Sequence, residues 1–74
     1  MLPAVLAKDM VKIDQLIKAG ANVNQYYNGK TALHFAIDRK KVDVIELLIE
    51  NGANLRLYDQ RNKSALELIF KKLN

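Results

Sequence analysis

The sequence predicts an all-α fold in which short helix–turn–helix units stack side by side. The first observation behind this prediction is internal repetition, since residues 19–22 recur as residues 51–54, and residues 29–33 recur as residues 62–66. The second is that apolar residues recur at helical spacing between turn signals. A period of roughly 20–50 residues is typical of solenoids, in which each unit packs only against its neighbours.

Two helices are expected before residue 20. Residues 1–7 are apolar, and Pro3 fits the first turn of a helix, where a backbone N–H group has no helical partner anyway. Asp9 can cap a second helix with its side chain, and Gly20 is placed to end that helix. The inward face of this second helix is predicted to consist of Met10, Ile13, Leu16 and Ile17.

Three further helices are expected. Thr31 can cap a short helix over residues 32–39, and a helix over residues 42–51 follows and ends before Gly52. A last helix, over residues 64–72, starts at Ser64. The inward face of the 42–51 helix is predicted to consist of Val42, Ile45, Leu48 and Ile49.

The connections between the units have turn chemistry. Asn28-Gly29 is a strong hairpin signal, because both residues tolerate a positive φ. Asn62 stands where Gly29 stands in the preceding unit, and asparagine is enriched among non-glycine residues with a left-handed backbone. We therefore expect the same turn geometry at both places. Leu55 and Leu57 alternate with a charged residue, which is typical of a short strand.

The repeated motifs resemble a known family. Residues 31–36 read Thr-Ala-Leu-His-Phe-Ala, which differs at one position from the ankyrin signature T-P-L-H-x-A, and the spacing of the copies also matches the ankyrin unit length. Residues 20–24 and 52–55 are similar to the G-A-D-V sequence of the same family. The chain therefore resembles ankyrin repeats over nearly all of its length. The resemblance implies one ankyrin-repeat solenoid domain, 1–74, with a partial repeat (1–28), a full repeat (29–61) and a partial C-terminal repeat (62–74).

The last unit departs from the family pattern. Bulky Ile69 and Phe70 stand where ankyrin repeats carry small residues that let the next repeat pack closely. We therefore expect this unit to act as a cap, with Lys71 and Lys72 solvating the end, as terminal repeats of solenoids do. The alternative is a piece of a longer array with a bare apolar flank.

The composition argues against several functional classes. The chain has no cysteine and one histidine, so neither a metal cluster nor a catalytic triad is expected, and we predict no cofactor and no enzyme activity. The resemblance implies a structural role for His34, whose ring would bond the helix start to the turn. Four carboxylates are interpreted as solvated helix faces: Asp38, Asp43, Glu46 and Glu50. With no basic leader and no apolar run of ~18–20 residues, the chain is expected to be cytoplasmic and to have no membrane partner.

The predicted function is recognition of a protein partner. The resemblance implies a groove lined by the turn tips and the first helix of each unit, and exposed tyrosines with nearby arginine are typical of binding hot spots. The partner-binding residues expected from this are Tyr26, Tyr27, Lys30, Asp38, Arg39, Tyr58, Gln60, Arg61 and Lys63, with Leu6 and Lys71 also facing the groove. The alternative for each tyrosine is that it packs on the neighbouring hairpin. An adaptor, an inhibitor or an immunity-type protein would use such a rigid surface.

Two other functions stay open. The net charge is +4, and five basic residues against two acidic ones place +3 of it over residues 55–74. This basic end could bind an acidic partner or nucleic acid, with lysines on phosphate and Tyr58 stacked on a base, although the charge is low for a nucleic-acid-binding protein. Alternatively, Leu66, Ile69, Phe70 and the apolar face of residues 2–6 could pack against a second copy and form a homo-oligomer.

Overall fold

The computed structural model describes residues 1–73. This part of the chain contains five helices and one two-stranded antiparallel sheet: α1 (Leu2–Leu6), α2 (Met10–Lys18), β1 (Tyr26–Tyr27), β2 (Lys30–Thr31), α3 (Ala32–Asp38), α4 (Val42–Glu50) and α5 (Ala65–Lys72). The predicted all-α fold is confirmed. The last three helices each end or begin within one residue of the expected bounds.

The helices form two layers around one core. α1, α3 and α5 lie side by side, and α2 and α4 pack behind them. α3 is the central element because it packs against α1, α4 and α5. Ala32, Ala36 and Ala65 have no exposed surface, and their small side chains let α3 and α5 lie close together. All five helices contribute buried apolar residues to the core: Ala4, Val5, Ile13, Ala32, Leu33, Ala36, Ile37, Val44, Ile45, Leu48, Ala65 and Leu68.

The inward face of α4 differs from the prediction. Ile45 and Leu48 are buried as expected, but Val42 and Ile49 are exposed, and Val44 is buried instead. The helix is apolar at so many positions that the helical period fits more than one stripe. The choice between these stripes is made by packing against the neighbouring helices, which the period alone does not contain.

Each helix pair turns at a lysine in the left-handed conformation. Lys8 lies between α1 and α2 with φ 56°, and Lys40 lies between α3 and α4 with φ 55°. In the second turn, the N–H of Lys40 donates to the Ile37 carbonyl and the N–H of Lys41 donates to the Ala36 carbonyl, both at 3.0 Å. A matching pair of bonds closes the Lys8 turn. These bonds satisfy carbonyls at the helix end that would otherwise lack partners.

The first hairpin tip has the predicted geometry. Tyr27 pairs with Lys30 across a two-residue loop, and Asn28 and Gly29 both have positive φ, at 52° and 83°. This is the backbone that a tight primed turn requires. At the second tip Asn62 has φ 61°, so its predicted left-handed conformation is confirmed.

The short strand expected around Leu55 and Leu57 is not formed. The described chain bends at Leu55 and Arg56, where the Asn54 side chain accepts the Arg56 N–H at 2.8 Å and fixes a local turn. Strand-like pairing at the second tip is limited to a single bridge between Tyr58 and Ser64.

Candidate functional site

His34 joins three parts of the fold. Its Nδ1 lies 2.7 Å from the Thr31 hydroxyl and accepts the Thr31 N–H at 3.3 Å, and Thr31 Oγ1 in turn accepts the His34 N–H at 3.4 Å. Its Nε2 lies 3.0 Å from the Lys63 carbonyl. Because a carbonyl oxygen can only accept, Nε2 carries the proton and donates to Lys63. The predicted structural role of His34 is confirmed, and it links α3 to the second tip as well as to its own turn.

The two hairpin tips are bonded to each other. The Tyr26 hydroxyl donates to the Tyr58 carbonyl at 2.6 Å, and the Gln60 N–H donates to the Gly29 carbonyl at 2.9 Å. Gln60 also packs so close to Gly29 that a Cβ at this glycine would lie 2.7 Å from the Gln60 Oε1. The tips therefore form one continuous ridge rather than two independent loops.

The outer face of this ridge carries aromatic and cationic side chains. Tyr26 is 45% exposed, Tyr58 is 57% exposed, and the Arg61 side chain is 61% exposed. Tyr26 contacts the neighbouring hairpin through its hydroxyl, as the alternative for the tyrosines expected, but Tyr26 and Tyr58 both keep a large exposed surface. We name this surface, consisting of Tyr26, Tyr58, Gln60 and Arg61, the tip ridge.

Asp59 holds the second tip in shape. Its side chain is fully buried, and Oδ1 accepts the N–H groups of Arg61 at 2.8 Å and Lys63 at 2.9 Å. Burial raises the pKa of Asp59, but the two backbone N–H bonds and the charge of Arg61 outweigh burial and hold the pKa below its ordinary value. The ionised carboxylate therefore fixes the backbone that presents Tyr58 and Arg61.

Tyr27 does not belong to the exposed ridge. It is half-buried and packs against the hydrophobic core, because β1 alternates one side chain outward and the next inward. The expectation that Tyr27 is fully exposed at the tip is therefore corrected, while its contact with a partner stays a prediction.

Asp38 is an ion-pair centre rather than a solvated carboxylate. Its Oδ2 lies 2.8 Å from Lys30 Nζ, and its Oδ1 lies 3.1 Å from Lys72 Nζ. The Lys30 ammonium also lies 5.5 Å from the centre of the Phe35 ring on α3. Burial raises the pKa of Asp38, but the bonds and charges of Lys30 and Lys72 outweigh it, so the pKa lies below its ordinary value. Lys72 thus connects α5 to α3 and does not merely solvate the end of the chain.

A second ion-pair centre lies along α5. Glu67 Oε2 is 3.1 Å from Lys63 Nζ and 3.6 Å from Lys71 Nζ, with each lysine four residues from the carboxylate. The bond to Glu67 raises the pKa of Lys63, and the bond from Lys63 lowers the pKa of Glu67. Since α5 packs on α3, the two lysine–carboxylate–lysine clusters lie on adjacent helices.

The described residues form neither a metal-binding cluster nor a membrane-spanning helix. Among residues 1–73, no group of three or more histidine, cysteine or acidic side chains is arranged to hold a metal ion. Within the same residues, no helix has the length and apolar character required to cross a bilayer.

A family model described as ankyrin repeats in many copies matches residues 16–69. The chain belongs to the ankyrin-repeat family. The match covers both tips and the central helix, so the packing described above is that of an ankyrin-repeat solenoid. Ankyrin repeats are in general protein–protein interaction modules rather than catalytic domains.

Several curated proteins are similar to this ankyrin-repeat chain over part of their length. The dog (Canis lupus familiaris) transient receptor potential cation channel subfamily V member 1 is 37% identical over 51 residues, which are 69% of this chain and 6% of the channel. Mouse (Mus musculus) ankyrin repeat and SOCS box protein 11 is 40% identical over 60 residues, which are 81% of this chain and 19% of that protein. The human (Homo sapiens) 2-5A-dependent ribonuclease is 38% identical over 56 residues, which are 73% of this chain and 8% of that protein. The chain therefore spans less than a fifth of the length of these relatives.

The ankyrin-repeat fold distributes the predicted contact residues over the tip ridge, the two ion-pair clusters and separate positions elsewhere. Tyr26, Tyr58, Gln60 and Arg61 come together on the tip ridge, while Lys30, Asp38 and Lys63 lie in the two ion-pair clusters. Lys71 is exposed on α5 and belongs to the Glu67 cluster. Arg39 is exposed at the end of α3, Leu6 is half-buried at the end of α1, and Tyr27 packs against the core.

The sequence-based prediction missed Lys72 and Glu67 as members of the clusters. The four-residue spacing around Glu67 was a usable signal for its pairs with Lys63 and Lys71. Pairing of Lys72 with Asp38 depends on the packing of α5 against α3, so no local pattern indicates it.

Proposed function

We propose that this ankyrin-repeat domain binds a protein partner through the tip ridge and the adjoining face of α3 and α5. The observation that carries the proposal is the joined pair of tips, which hold Tyr26 and Tyr58 exposed next to Arg61. Tyrosine and arginine are enriched among residues that dominate binding energy at protein interfaces. A solvent-facing tyrosine pair gains little from the core of its own domain, so a partner is the natural source of burial for it.

Preorganisation is the mechanism. The ridge is fixed by the Tyr26 and Gln60 bonds between the tips, and the Asn24 side chain adds a further link by donating to the Gly52 carbonyl at 3.3 Å and accepting the Asn54 N–H at 2.7 Å. A surface that is ordered before binding loses little conformational entropy when the partner arrives. The domain therefore favours a partner that presents a complementary rigid surface or an extended segment.

Such a module would serve as an adaptor, an inhibitor or an immunity-type protein that covers a site on its partner. The absence of cysteine from the sequence fits a reducing, cytoplasmic setting for this role.

The test is affinity capture with matched variants. The immobilised chain is exposed to nuclease-treated lysate from its source, and retained proteins are identified by mass spectrometry. The variant Tyr58→Ala/Arg61→Ala should lose the dominant retained protein while its melting temperature stays close to that of the unmodified chain, because both side chains are exposed.

The control variant is Val11→Ala/Arg56→Ala, which also removes one exposed apolar side chain and one exposed arginine, neither of which lies on the tip ridge, α3 or α5. It should retain the same protein as the unmodified chain. Loss of the protein by the control but not by the ridge variant would contradict the proposal.

Self-association is a second candidate, favoured by the apolar surface at the two ends of the stack. Leu66 and Phe70 are exposed on α5, and at the other end a groove of about 390 Å³ is lined mainly by Met1, Pro3, Ala4 and Leu16. Because these two surfaces differ, association would be head-to-tail. Light scattering should then show a molar mass that rises with concentration and falls back to one chain in Phe70→Glu but not in Val11→Glu. A constant single-chain mass would exclude this candidate.

A further inference from the structure

The two ion-pair clusters carry more positive than negative charge. Four ammonium groups, from Lys30, Lys63, Lys71 and Lys72, surround only the carboxylates of Asp38 and Glu67. We name these four lysines the lysine strip. Lys71 and Lys72 are consecutive on α5 and each belongs to a different cluster, so α5 carries a lysine of both clusters.

The excess of positive charge arises at one repeated position. Lys30 and Lys63 are one repeat unit apart and occupy the same place in successive units. Asp38 and Lys71 are also one repeat unit apart. The position of the carboxylate that neutralises Lys30 is therefore occupied by Lys71 in the next unit. Glu67 alone therefore faces both Lys63 and Lys71.

The lysines of the strip keep unused hydrogen-bonding capacity. An ammonium group has three donors, and each of these lysines meets a single carboxylate within the described chain. Lys30 is largely covered and packs over Phe35, so it acts as a fixed charge behind the surface. Lys63, Lys71 and Lys72 are more exposed and can reach a ligand in solvent.

We propose that the lysine strip binds an acidic segment of a protein, with glutamate or aspartate side chains placed against Lys63, Lys71 and Lys72. This inference rests on the proposed protein-binding function and names the chemistry of the partner segment. The strip adjoins the tip ridge at Lys63, which follows Arg61 by two residues, so one partner could contact both surfaces.

The arrangement favours a peptide over nucleic acid. A nucleic-acid strand carries a charge roughly every 3.4 Å along its length and would bring phosphates close to Asp38 and Glu67 as well as to the lysines. An acidic peptide can space its carboxylates so that neutral residues pass over these two groups. Complementary charge of this kind mainly sets specificity and association rate, and it weakens with salt.

The experiment is a titration followed by ¹H–¹⁵N NMR spectra of the full chain. The probe is a synthetic peptide of alternating glycine and glutamate, roughly twelve residues long so that the extended peptide can span the 30 Å length of the molecule. Signal changes should concentrate on the lysine strip and on Asp38 and Glu67. Changes spread evenly over the lysines of α2, or equal changes with a glycine–glutamine peptide, would overturn the inference.

Paired variants separate the strip from total charge. Lys63→Gln/Lys71→Gln should weaken binding of the acidic peptide by about fivefold or more, since both lysines are proposed contacts. Lys8→Gln/Lys18→Gln removes the same charge from two other exposed lysines that also form ion pairs, and it should change binding less than twofold. Equal weakening by both variants would mean that only net charge matters, and the inference would fail.

Two further comparisons distinguish this inference from the proposed function. A thymidine oligonucleotide of the same length is titrated as well. If it binds more tightly than the acidic peptide and loses affinity in Lys63→Gln/Lys71→Gln, the ligand of the strip is nucleic acid and the inference is overturned. If the captured partner is lost by Tyr58→Ala/Arg61→Ala but kept by Lys63→Gln/Lys71→Gln, the strip inference fails while the tip ridge stands. If the peptide binds the strip as expected but Tyr58→Ala/Arg61→Ala captures the same proteins as the unmodified chain, the tip ridge fails and the strip stands.

Discussion

The internal unit and the last unit share a motif but differ in burial. Leu33 is 1% exposed, whereas Leu66 at the equivalent position of the last unit is 40% exposed; Ile37 is fully buried, whereas its equivalent, Phe70, is 64% exposed. The capping geometry is nevertheless the same, with Thr31 and Ser64 each accepting the N–H three residues on. The backbone of each unit is therefore encoded locally, while the burial of its side chains depends on the neighbouring unit.

The same comparison explains the exchange of histidine for glutamate. His34 is buried, and its Nε2 donates a hydrogen bond to the Lys63 carbonyl in the following tip. Glu67 occupies the equivalent position in the last unit and turns instead to two lysines on its own unit. The same repeat position thus holds a buried histidine bonded to backbone in the internal unit and a charged glutamate at the surface in the last unit.

The largest expected effect is a difference between equivalent leucines. Leu33→Ala should lower the free energy of unfolding by about 2–5 kcal/mol, because it leaves a cavity between α3 and its neighbours. Leu66→Ala should cost about 1 kcal/mol or less, since much of that side chain is already in solvent. Thermal or urea unfolding measures both. Equal destabilisation by the two variants would show that the two leucines do not differ in burial.

The histidine–glutamate pair gives the next effect. His34→Ala should destabilise by about 1–3 kcal/mol, because the buried Thr31 N–H loses its acceptor and the tie to the second tip is lost. Glu67→Ala should leave the melting temperature nearly unchanged, since its ion pairs are exposed to solvent. A larger loss in the glutamate variant would show that the last unit depends on its charges.

Gly29 and Asn62 occupy equivalent left-handed positions in the two tips, but substitutions there should differ in effect. Gly29→Ala should destabilise by about 1–2 kcal/mol or more, because φ is 83° and the new Cβ would meet Gln60 of the second tip. Asn62→Gly should be nearly neutral, since glycine readily adopts the φ of 61° found there. Unfolding curves of both variants test this, and an unaffected Gly29→Ala variant would mean that the tips are not closely joined.

A smaller effect concerns acid stability. The pKa values of Asp38 and Asp59 lie below the ordinary value, so both carboxylates stabilise the fold above the unfolded pKa of about 3.9, and this contribution is lost as the pH falls through the lower folded values. The melting temperature should therefore drop below about pH 4. Asp59→Asn should make that drop shallower, whereas Asp43→Asn, a change at an exposed carboxylate, should not. Identical pH profiles for all three chains would contradict the role assigned to Asp59.

The sequence was sufficient to predict the features that are local. Helix caps at Asp9, Thr31 and Ser64, the Asn28-Gly29 turn and the left-handed Asn62 all follow from residue types with strong conformational preferences, and the repeat period indicated the stacking. Lys8 and Lys40 adopt the same left-handed conformation without any such preference, so their turns were not signalled.

The features that depend on packing between elements could not be predicted in the same way. The buried stripe of α4 is decided by its packing against α2 and α3, and the pairing of Asp38 with Lys72 is decided by α5 packing against α3. The sequence thus predicted which residues form the tip ridge and that Tyr26, Tyr58 and Arg61 are exposed. It did not predict the ion pairs of the candidate site. The repeat boundaries at residues 28 and 61 stay a prediction.

Contact between the tip ridge and a protein partner would be visible in amide hydrogen exchange. Exchange is measured by mass spectrometry for the chain alone and for the complex recovered by capture. Contact at the tip ridge should slow exchange in the complex at residues 25–31 and 57–64, with little change in α2. Protection confined to α2 and α4, with unchanged exchange at both tips, would contradict it.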